Sequence, residues 1–186
     1  MRIIGGKKKG MQLKTPKGKE IRPTSSLIKE AVFNVIGDSI KDAMFFDLCC
    51  GTGMMGIEAL SRGAKSAIFV DNSVDSVSLV RDNLKKTGFD HLSKVLEKNV
   101  LIFLKGIRTF LKNNHRIILY IDPPYKNENL YSAIVKYLDR YLPDGNFLII
   151  IEHRVNIDID LKTACLWKEK KYGNKRVSMF TKGKFF

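Results

Sequence analysis

Short runs of consecutive hydrophobic residues alternate along this chain with segments in which apolar residues recur at helical spacing. Continuous apolar runs of this length are typical of strands that are buried on both faces of a parallel sheet. The pattern predicts five such strands, at 44–49, 66–71, 94–98, 117–121 and 147–152. The spacing between them predicts helices at 54–61, 74–87, 100–111 and 129–141. Alternating strands and helices indicate a three-layer α/β/α fold.

The two ends of the chain depart from this alternation. Residues 1–23 are punctuated by glycines and prolines and suggest short strands and turns, after which Thr24 is a candidate N-cap for a helix that ends at Gly37. Residues 163–171 and 176–181 are strand-like with no helix between them, which predicts an antiparallel hairpin. We expect a single domain, a basic β extension at 1–23 followed by the main body at 24–186.

Charge is segregated along the sequence. Lys and Arg number 33 against 19 Asp and Glu, a formal net charge of +14. Residues 1–30 and 161–186 each carry a net +7, whereas 31–160 is balanced. Unbalanced ends around a neutral centre favour a surface that binds a polyanion, with nucleic acid as the main hypothesis and a general compositional bias as the alternative.

Cysteine and histidine patterns exclude several other kinds of site. The three cysteines lack CxxC spacing, so we expect free thiols, and the three histidines lie far apart, so we expect no metal site.

No apolar run is long enough to span a membrane, and the first residues lack the apolar stretch of a secretory signal. We therefore expect a cytoplasmic protein.

A glycine-rich segment after the first predicted strand is a candidate nucleotide site. Gly51, Gly53 and Gly56 follow the pattern G-x-G-x-x-G, and Asp71 closes the next strand, where its carboxylate can accept ribose hydroxyls. Asp47, just before the loop, suits the ammonium group of S-adenosylmethionine and would repel a pyrophosphate. The pattern favours S-adenosylmethionine, with a nicotinamide dinucleotide or a plain turn as the alternatives.

The tetrapeptide at 122–125 is the most specific chemical signal. Asp122, Pro123, Pro124 and Tyr125 end the fourth predicted strand, at the sheet edge where open α/β folds bind ligands. The two prolines remove backbone donors and stiffen the turn, which leaves acceptors exposed. The Asp122 carboxylate and the Pro123 carbonyl could each accept an N–H of a conjugated amino group and so turn its nitrogen toward a methyl donor. Tyr125 could stack on the target base.

Taken together, these motifs resemble the RsmD family of bacterial 16S rRNA (guanine-N2)-methyltransferases. The resemblance also rests on the segments 1–6, 22–24, 30–34, 58–64 and 172–173. It implies a Rossmann-like methyltransferase, in which 24–186 would be the methyltransferase domain, with a seven-stranded, mostly parallel sheet and a C-terminal antiparallel hairpin. It also implies S-adenosylmethionine as methyl donor and S-adenosylhomocysteine as product. One position departs from the family pattern, since Asn99 stands where an acidic residue usually contacts the adenine.

We therefore expect an enzyme that methylates the N2 amino group of a guanine in 16S rRNA, within an assembling small ribosomal subunit and as a monomer. Enzymes that methylate adenine N6 or glutamine N5, and a non-catalytic RNA-binding assembly factor, are the alternatives. The expected cofactor residues are Asp47, Cys49, Gly51, Thr52, Gly53, Asp71, Asn72, Asn99 and Val100. The expected RNA-binding residues are Arg2, Lys7, Lys8, Lys9, Arg22, Thr24, Lys175 and Arg176.

Overall fold

A computed structural model describes residues 1–15, 26–111, 116–124 and 128–186 of the chain. The described residues form one mixed sheet, whose strands are β1 Met44–Leu48, β2 Ser66–Asp71, β3 Ser93–Glu97, β4 Ile117–Ile121, β5 Phe147–Arg154, β6 Cys165–Tyr172 and β7 Lys175–Lys182. The α-helices described are α1 Ser26–Ile36, α2 Met54–Ser61, α3 Val74–Thr87, α4 Val100–Lys105 and α5 Glu128–Tyr141. Among the described residues, none of the helices combines the length and the hydrophobicity of a membrane span.

The strand order is β3-β2-β1-β4-β5-β7-β6. The first five strands of this order are parallel, so their carboxyl ends meet at one edge of the sheet. The order reverses between β1 and β4, which is the switch point at which open α/β sheets bind ligands. The last two strands form the antiparallel hairpin, and β7 lies between β5 and β6. The mostly parallel seven-stranded sheet with a C-terminal antiparallel hairpin, expected from the sequence, is confirmed for the described residues.

Helices cover both faces of the sheet and enclose two hydrophobic clusters. Helices α1, α2 and α3 pack on one face, against side chains such as Phe45 and Phe69. Helices α4 and α5 pack on the other face, against side chains such as Phe46 and Leu119. Because successive residues of a strand point to opposite faces, the continuous apolar runs are buried on both sides. This burial explains why periodicity predicted the strands well.

The predicted bounds of β2, β4, α2 and α3 agree with the structure, and most others differ by one or two residues. The helix predicted at 100–111 is the main difference. It stops at Lys105, and a separate 3₁₀ turn follows at Ile107–Phe110, because Gly106 ends the helix and its N–H bonds to Phe103 O instead of continuing the α-helical ladder. The candidate N-cap Thr24 lies outside the described residues.

The first fifteen residues are built into the core of the domain. Ile3 and Leu13 are buried in the cluster under α1 to α3. The expected strands are replaced in this segment by a single antiparallel bridge between Arg2 and Gln12 and by a 3₁₀ turn at Gly6–Lys8. A buried ion pair between Lys29 and Glu58 lies beneath the segment, at 3.4 Å. Lys29 Nζ also donates to Arg2 O at 2.6 Å.

Candidate active site

The glycine-rich loop connects β1 to α2 and turns through backbone conformations that favour glycine. Gly51 and Gly53 have φ values of 49° and 69°, in the left-handed region. Cys49 adopts a φ of 59° as well, which is uncommon for a residue with a Cβ. Thr52, between the glycines, is buried. The loop is tight, and its backbone lies between the ends of β1 and β2, where Cys50 N–H donates to Val70 O at 3.0 Å.

Gly56 brings α2 close to the sheet. A Cβ at this position would lie 2.3 Å from the Phe69 ring, so the helix packs on β2 only without a side chain here. The Gly56 N–H donates to Asp47 Oδ2 at 2.8 Å. Asp47 is 2% exposed. Burial raises the pKa of its carboxyl from 3.8 to about 7, with a smaller contribution from Asp71 and against the opposing effect of the Gly56 hydrogen bond.

Asp71, at the end of β2, connects the glycine-rich loop to the start of α3 through two hydrogen bonds. Its Oδ2 accepts from Gly51 N–H at 2.8 Å, and its Oδ1 accepts from Ser73 N–H at 2.9 Å. Ser73 is the N-cap of α3. Asn72, between them, is exposed. Each carboxylate oxygen can accept more than one hydrogen bond, so Asp71 can hold the loop and still accept from a ligand.

The turn after β4 lies directly beside the glycine-rich loop. Asp122 N–H donates to the carbonyl of Leu48, the last residue of β1, at 3.3 Å. Pro123 is buried and Pro124 is exposed. The two motifs that the sequence separates by about seventy residues therefore share one edge of the sheet, at its switch point. Tyr125 lies outside the described residues.

Tyr131 contacts this turn, although the sequence did not predict it to be part of the site. Its side chain is 2% exposed. Its hydroxyl donates to Pro123 O at 3.2 Å and lies 3.4 Å from Glu152 O. A buried tyrosine needs a partner for its hydroxyl, but its position in the amphipathic pattern of α5 gave no signal of which partner this would be.

Three carboxylates surround Cys49. Burial raises the pKa of the Cys49 thiol, and Asp71, Asp122 and Asp47 raise it further. The thiol therefore stays protonated at neutral pH and is not a nucleophile. The same grouping brings three carboxyl groups together on a chain of net charge +14, and Asp47, with its pKa raised to about 7, carries less than a full negative charge at neutral pH. A donor set of three carboxylates suits a ligand with positive charge, as the sulfonium and ammonium groups of S-adenosylmethionine require.

Asn99, the departure from the family pattern, is the N-cap of α4. Its Oδ1 accepts from Leu101 N–H at 2.9 Å, and the residue is exposed. Val100 is buried in the cluster under α4 and α5. The amide oxygen that the sequence assigned to the adenine therefore already stabilises a helix terminus, and a ligand would share it.

The predicted RNA-binding residues of the N-terminal segment lie at the opposite end of α2 from the glycine-rich loop. Lys8 N–H donates to Ser61 Oγ at 3.0 Å, and Ser61 is the last residue of α2. Eight helical residues span about 12 Å, which separates this end from the loop. Arg2, Lys7 and Lys9 are exposed, and Lys8 is half-buried.

The predicted RNA-binding residues of the C-terminal segment form ion pairs within the protein. Lys175 Nζ contacts the buried carboxylate of Glu152, and Arg176 lies 3.4 Å from Asp158 and 3.5 Å from Glu169. Lys175 pairs with Arg154 at the carboxyl edge of the sheet, so it is on the opposite edge from the turn at Gly6–Lys8. Arg22 and Thr24 lie outside the described residues.

Comparisons with known proteins cover nearly the whole chain. A family model described as "Conserved hypothetical protein 95" matches residues 1–181. "Putative rRNA methyltransferase YlbH" from Bacillus subtilis is 33% identical over 187 residues, covering 98% of this chain and 99% of that protein. "Ribosomal RNA small subunit methyltransferase D" from Escherichia coli is 31% identical over 157 residues, covering 83% of this chain and 75% of that protein. The solved structure of "Putative methyltransferase yhhF from Escherichia coli" superposes with a TM-score of 0.82 at 26% identity, covering 98% of this chain and 97% of that one.

Proposed function

Since the chain belongs to the RsmD family, the family of the conserved hypothetical protein 95 model, we propose that it transfers a methyl group from S-adenosylmethionine to N2 of a guanine in 16S rRNA. The observation that carries the proposal is the hydrogen bond from Asp122 N–H to Leu48 O at 3.3 Å. It joins the turn that offers acceptors to an amino group with the loop that offers a nucleotide site. An enzyme that methylates an exocyclic amine needs these two sites side by side.

The residues at the edge of β1 and β2 fit the cofactor. We assign Asp71 to the ribose, the glycine-rich loop at Gly51 and Gly53 to the ribose and methionine end, and Asp47 to the ammonium group. The carboxyl groups of Asp71, Asp122 and Asp47 around Cys49 suit a sulfonium ligand, and an ammonium group beside Asp47 would favour its ionised form. When bound, S-adenosylmethionine supplies a methyl group on a positively charged sulfur. Asn99 and Val100 are the proposed contacts of the adenine, and Thr52 and Asn72 complete the site.

Asp122 and Pro123 are the proposed catalytic groups. The lone pair of the guanine amino nitrogen is delocalised into the ring, so the nitrogen is a poor nucleophile. Two acceptors, one Asp122 carboxylate oxygen and the Pro123 carbonyl, would each take one N–H and turn the nitrogen lone pair toward the methyl carbon. Asp122 would then take the proton that the nitrogen loses. Pro124 keeps the turn rigid, and Tyr125 is the proposed stacking partner of the base.

The Tyr131 hydroxyl donates a hydrogen bond to the carbonyl oxygen of Pro123, which is one of the two proposed acceptors of the amino group. A carbonyl oxygen has two lone pairs, so Pro123 can accept from Tyr131 and from the amino group together. The Tyr131 contact fixes the direction of the carbonyl before a substrate arrives. A carbonyl that is already oriented loses little entropy on binding the target base.

The proposal also covers the RNA contacts of the protein, the ribosomal particle that it modifies and its oligomeric state. The relatives are named as rRNA methyltransferases, and a basic segment with Arg2, Lys7 and Lys9 exposed and Lys8 half-buried suits phosphates. Arg22 and Thr24 extend the proposed RNA contacts, whereas the expected contacts Lys175 and Arg176 are already paired with Glu152, Asp158 and Glu169. We propose that the substrate is an assembling small subunit in the cytoplasm, that the protein acts as a monomer, and that residues 1–23 belong to the same domain as 24–186.

Methyl transfer to small ribosomal subunits from cells that lack the modification tests this function. Tritiated methyl from S-adenosylmethionine should appear in RNA, and nucleoside analysis should recover it as N2-methylguanosine. Asp122→Ala should reduce turnover by roughly 10² or more while cofactor binding, measured by calorimetry, is retained. Asp160→Ala removes an exposed aspartate and is the matched control. Methyladenosine as the product, or normal turnover in Asp122→Ala, would contradict the proposal.

A further inference from the structure

The outer strand of the sheet, β6, exposes an unusual set of side chains. Seven of its eight residues are exposed. Leu166 is 57% exposed, Trp167 is 42% exposed, and Phe186, which follows β7, is 61% exposed. The Trp167 and Phe186 rings pack on each other with centroids 4.3 Å apart. Large exposed apolar side chains that cluster in this way mark an interaction site more often than isolated ones do.

Cations alternate with aromatic residues along β6. Residues directly opposite each other in an antiparallel pair share a face, so Lys168 and Lys170 lie on the same face as Met179 and Val177 of β7. Lys168 Nζ lies 5.9 Å from the Trp167 ring centroid. We define the β6 surface as Trp167, Lys168, Lys170, Lys171, Tyr172 and Phe186. Lys171 pairs with Arg176, so it lies on the opposite face of this edge strand from Lys168 and Lys170. Lys170 Nζ lies 5.6 Å from the Tyr172 ring centroid.

The charge of the β6 surface is not neutralised within the described part of the chain. Lys168, Lys170 and Lys171 form no ion pair with a described carboxylate. Glu169 is the sole acidic residue of 161–186, and it accepts from Ser178 and pairs with Arg176. The lysines of β6 can therefore bind an external anion, whereas Lys175 and Arg176, at the start of β7, form ion pairs within the protein.

The geometry of the edge disfavours the addition of a protein strand. The pairing of β6 with β7 shifts register between Leu166 and Lys168, which places a bulge at Trp167. Bulges and lysines on an edge strand are features that oppose edge-to-edge pairing. Alternating aromatic rings and cations are instead the pattern that binds single-stranded nucleic acid, since the rings stack on bases and the cations bind phosphates.

We propose that the β6 surface is a second RNA-binding site, in which Trp167 stacks on an unpaired base and Lys168, Lys170 and Lys171 bind the adjoining phosphates. This proposal rests on the proposed function, because it takes the ligand to be the rRNA that carries the target guanine. The occupant is RNA because the surface combines unneutralised positive charge with exposed aromatic faces. Under this proposal, the RNA contacts of the C-terminal segment lie on β6, the outer strand of the hairpin.

The position of the β6 surface relative to the methyl-transfer site supports this assignment. Strand β6 runs parallel to β5, so its final residue, Tyr172, reaches the same edge of the sheet as Asp122. The order β4-β5-β7-β6 separates the two by three strand spacings, about 14 Å. RNA that flanks a base bound at Asp122 can therefore continue over the hairpin and along β6. A second contact at this distance would hold the substrate through sequence outside the target nucleotide.

Trp167 provides a direct test because it is the single tryptophan of the chain. Titration of the whole protein with protein-free 16S rRNA should quench its fluorescence and reduce its accessibility to iodide. The readout does not depend on methyl transfer. The same titration with total small-subunit proteins, stripped of RNA, should leave the fluorescence unchanged. Quenching by these proteins together with none by rRNA would overturn the proposal in favour of a protein partner.

Variants of the β6 surface test the two kinds of contact separately. Trp167→Ala should weaken rRNA binding about tenfold, and Trp167→Phe should restore most of the loss because a phenyl ring still stacks. Lys168→Gln, Lys170→Gln and Lys171→Gln combined should weaken binding at low salt. The slope of log affinity against log salt should become shallower by about 2 to 2.7, as expected for three lost phosphate contacts. The matched control, Lys85→Gln, Lys86→Gln and Lys105→Gln, removes the same charge from exposed helix termini.

The outcomes separate this proposal from the proposed function. Methyl transfer with unquenched Trp167, or equal salt slopes in the two triple variants, overturns the β6 site and leaves the methyltransferase in place. Quenching by rRNA without any methyl transfer supports the β6 site as an RNA contact and contradicts the enzyme. Thermal unfolding of each variant confirms that the fold is intact, which is expected because the substituted side chains are exposed.

Discussion

The buried carboxylate of Asp47 should make the protein less stable as the pH rises. Asp47→Asn tests this directly. The amide oxygen of asparagine can still accept from Gly56 N–H, as Asp47 Oδ2 does at 2.8 Å, but the side chain never ionises. Any difference in stability between the two proteins that depends on pH therefore reports the cost of ionising Asp47 in the folded state.

The structure gives the size and sign of this effect. Burial raises the pKa of Asp47 from 3.8 to about 7, so the folded protein holds a proton that the unfolded chain has released between these pH values. A raised pKa contributes stability that is complete below the unfolded value and is lost as pH rises through the folded value. The full loss is about 4 kcal/mol, and about 2 to 3 kcal/mol of it falls between pH 5 and 8.

Urea unfolding of both proteins at several pH values between 5 and 8 measures this difference. The stability of Asp47→Asn relative to the original protein should rise by about 2 to 3 kcal/mol over that range. A new amide N–H without a partner would cost about 1 to 3 kcal/mol, but equally at every pH. Asp160→Asn controls for the loss of one negative charge from the protein. A difference that is constant or that falls with pH would refute the reasoning.

Three further variants test the cofactor site, the packing of α2 and the basic N-terminal segment. Asp71→Ala removes the acceptor of two backbone N–H groups and should weaken cofactor binding at least about tenfold by calorimetry; unchanged affinity would contradict its role. Gly56→Ala places a Cβ 2.3 Å from the Phe69 ring and should cost about 1 to 3 kcal/mol in urea unfolding, and a neutral result would show that α2 can move. Lys7→Glu, Lys8→Glu and Lys9→Glu combined should weaken rRNA binding and leave cofactor affinity unchanged; an unaffected rRNA titration would remove this segment from the RNA site.

The parts of the fold that the sequence predicted well are those in which local pattern and tertiary burial agree. Strands β2 and β4 are apolar on both faces, and their bounds follow from the apolar runs alone. The juxtaposition of the glycine-rich loop and the turn at Asp122 was also predictable, because parallel strands place their carboxyl ends at one edge. The order of the last two strands was not predicted, since both strands of the hairpin have similar patterns.

Contacts between distant residues could not be predicted from the sequence. Lys175 was assigned to RNA by its charge, but register places its ammonium beside Glu152, which is fully buried. Even over the eight residues between Pro123 and Tyr131, no sequence pattern indicated that the Tyr131 hydroxyl reaches Pro123 O. Such partners depend on which side chains tertiary packing brings together, whereas periodicity reports only which face of an element is buried.

The interior position of β7 has a consequence for how the protein forms during its synthesis. Of the seven strands, β7 is made last, yet it lies between β5 and β6, and Phe180 on it is 2% exposed. A nascent chain synthesised only as far as β5 would expose the unpaired edge of an otherwise buried apolar strand to solvent and to chaperones. The sheet therefore closes late in translation, and shortened products that stop before Lys175 should aggregate and not persist as smaller folded units.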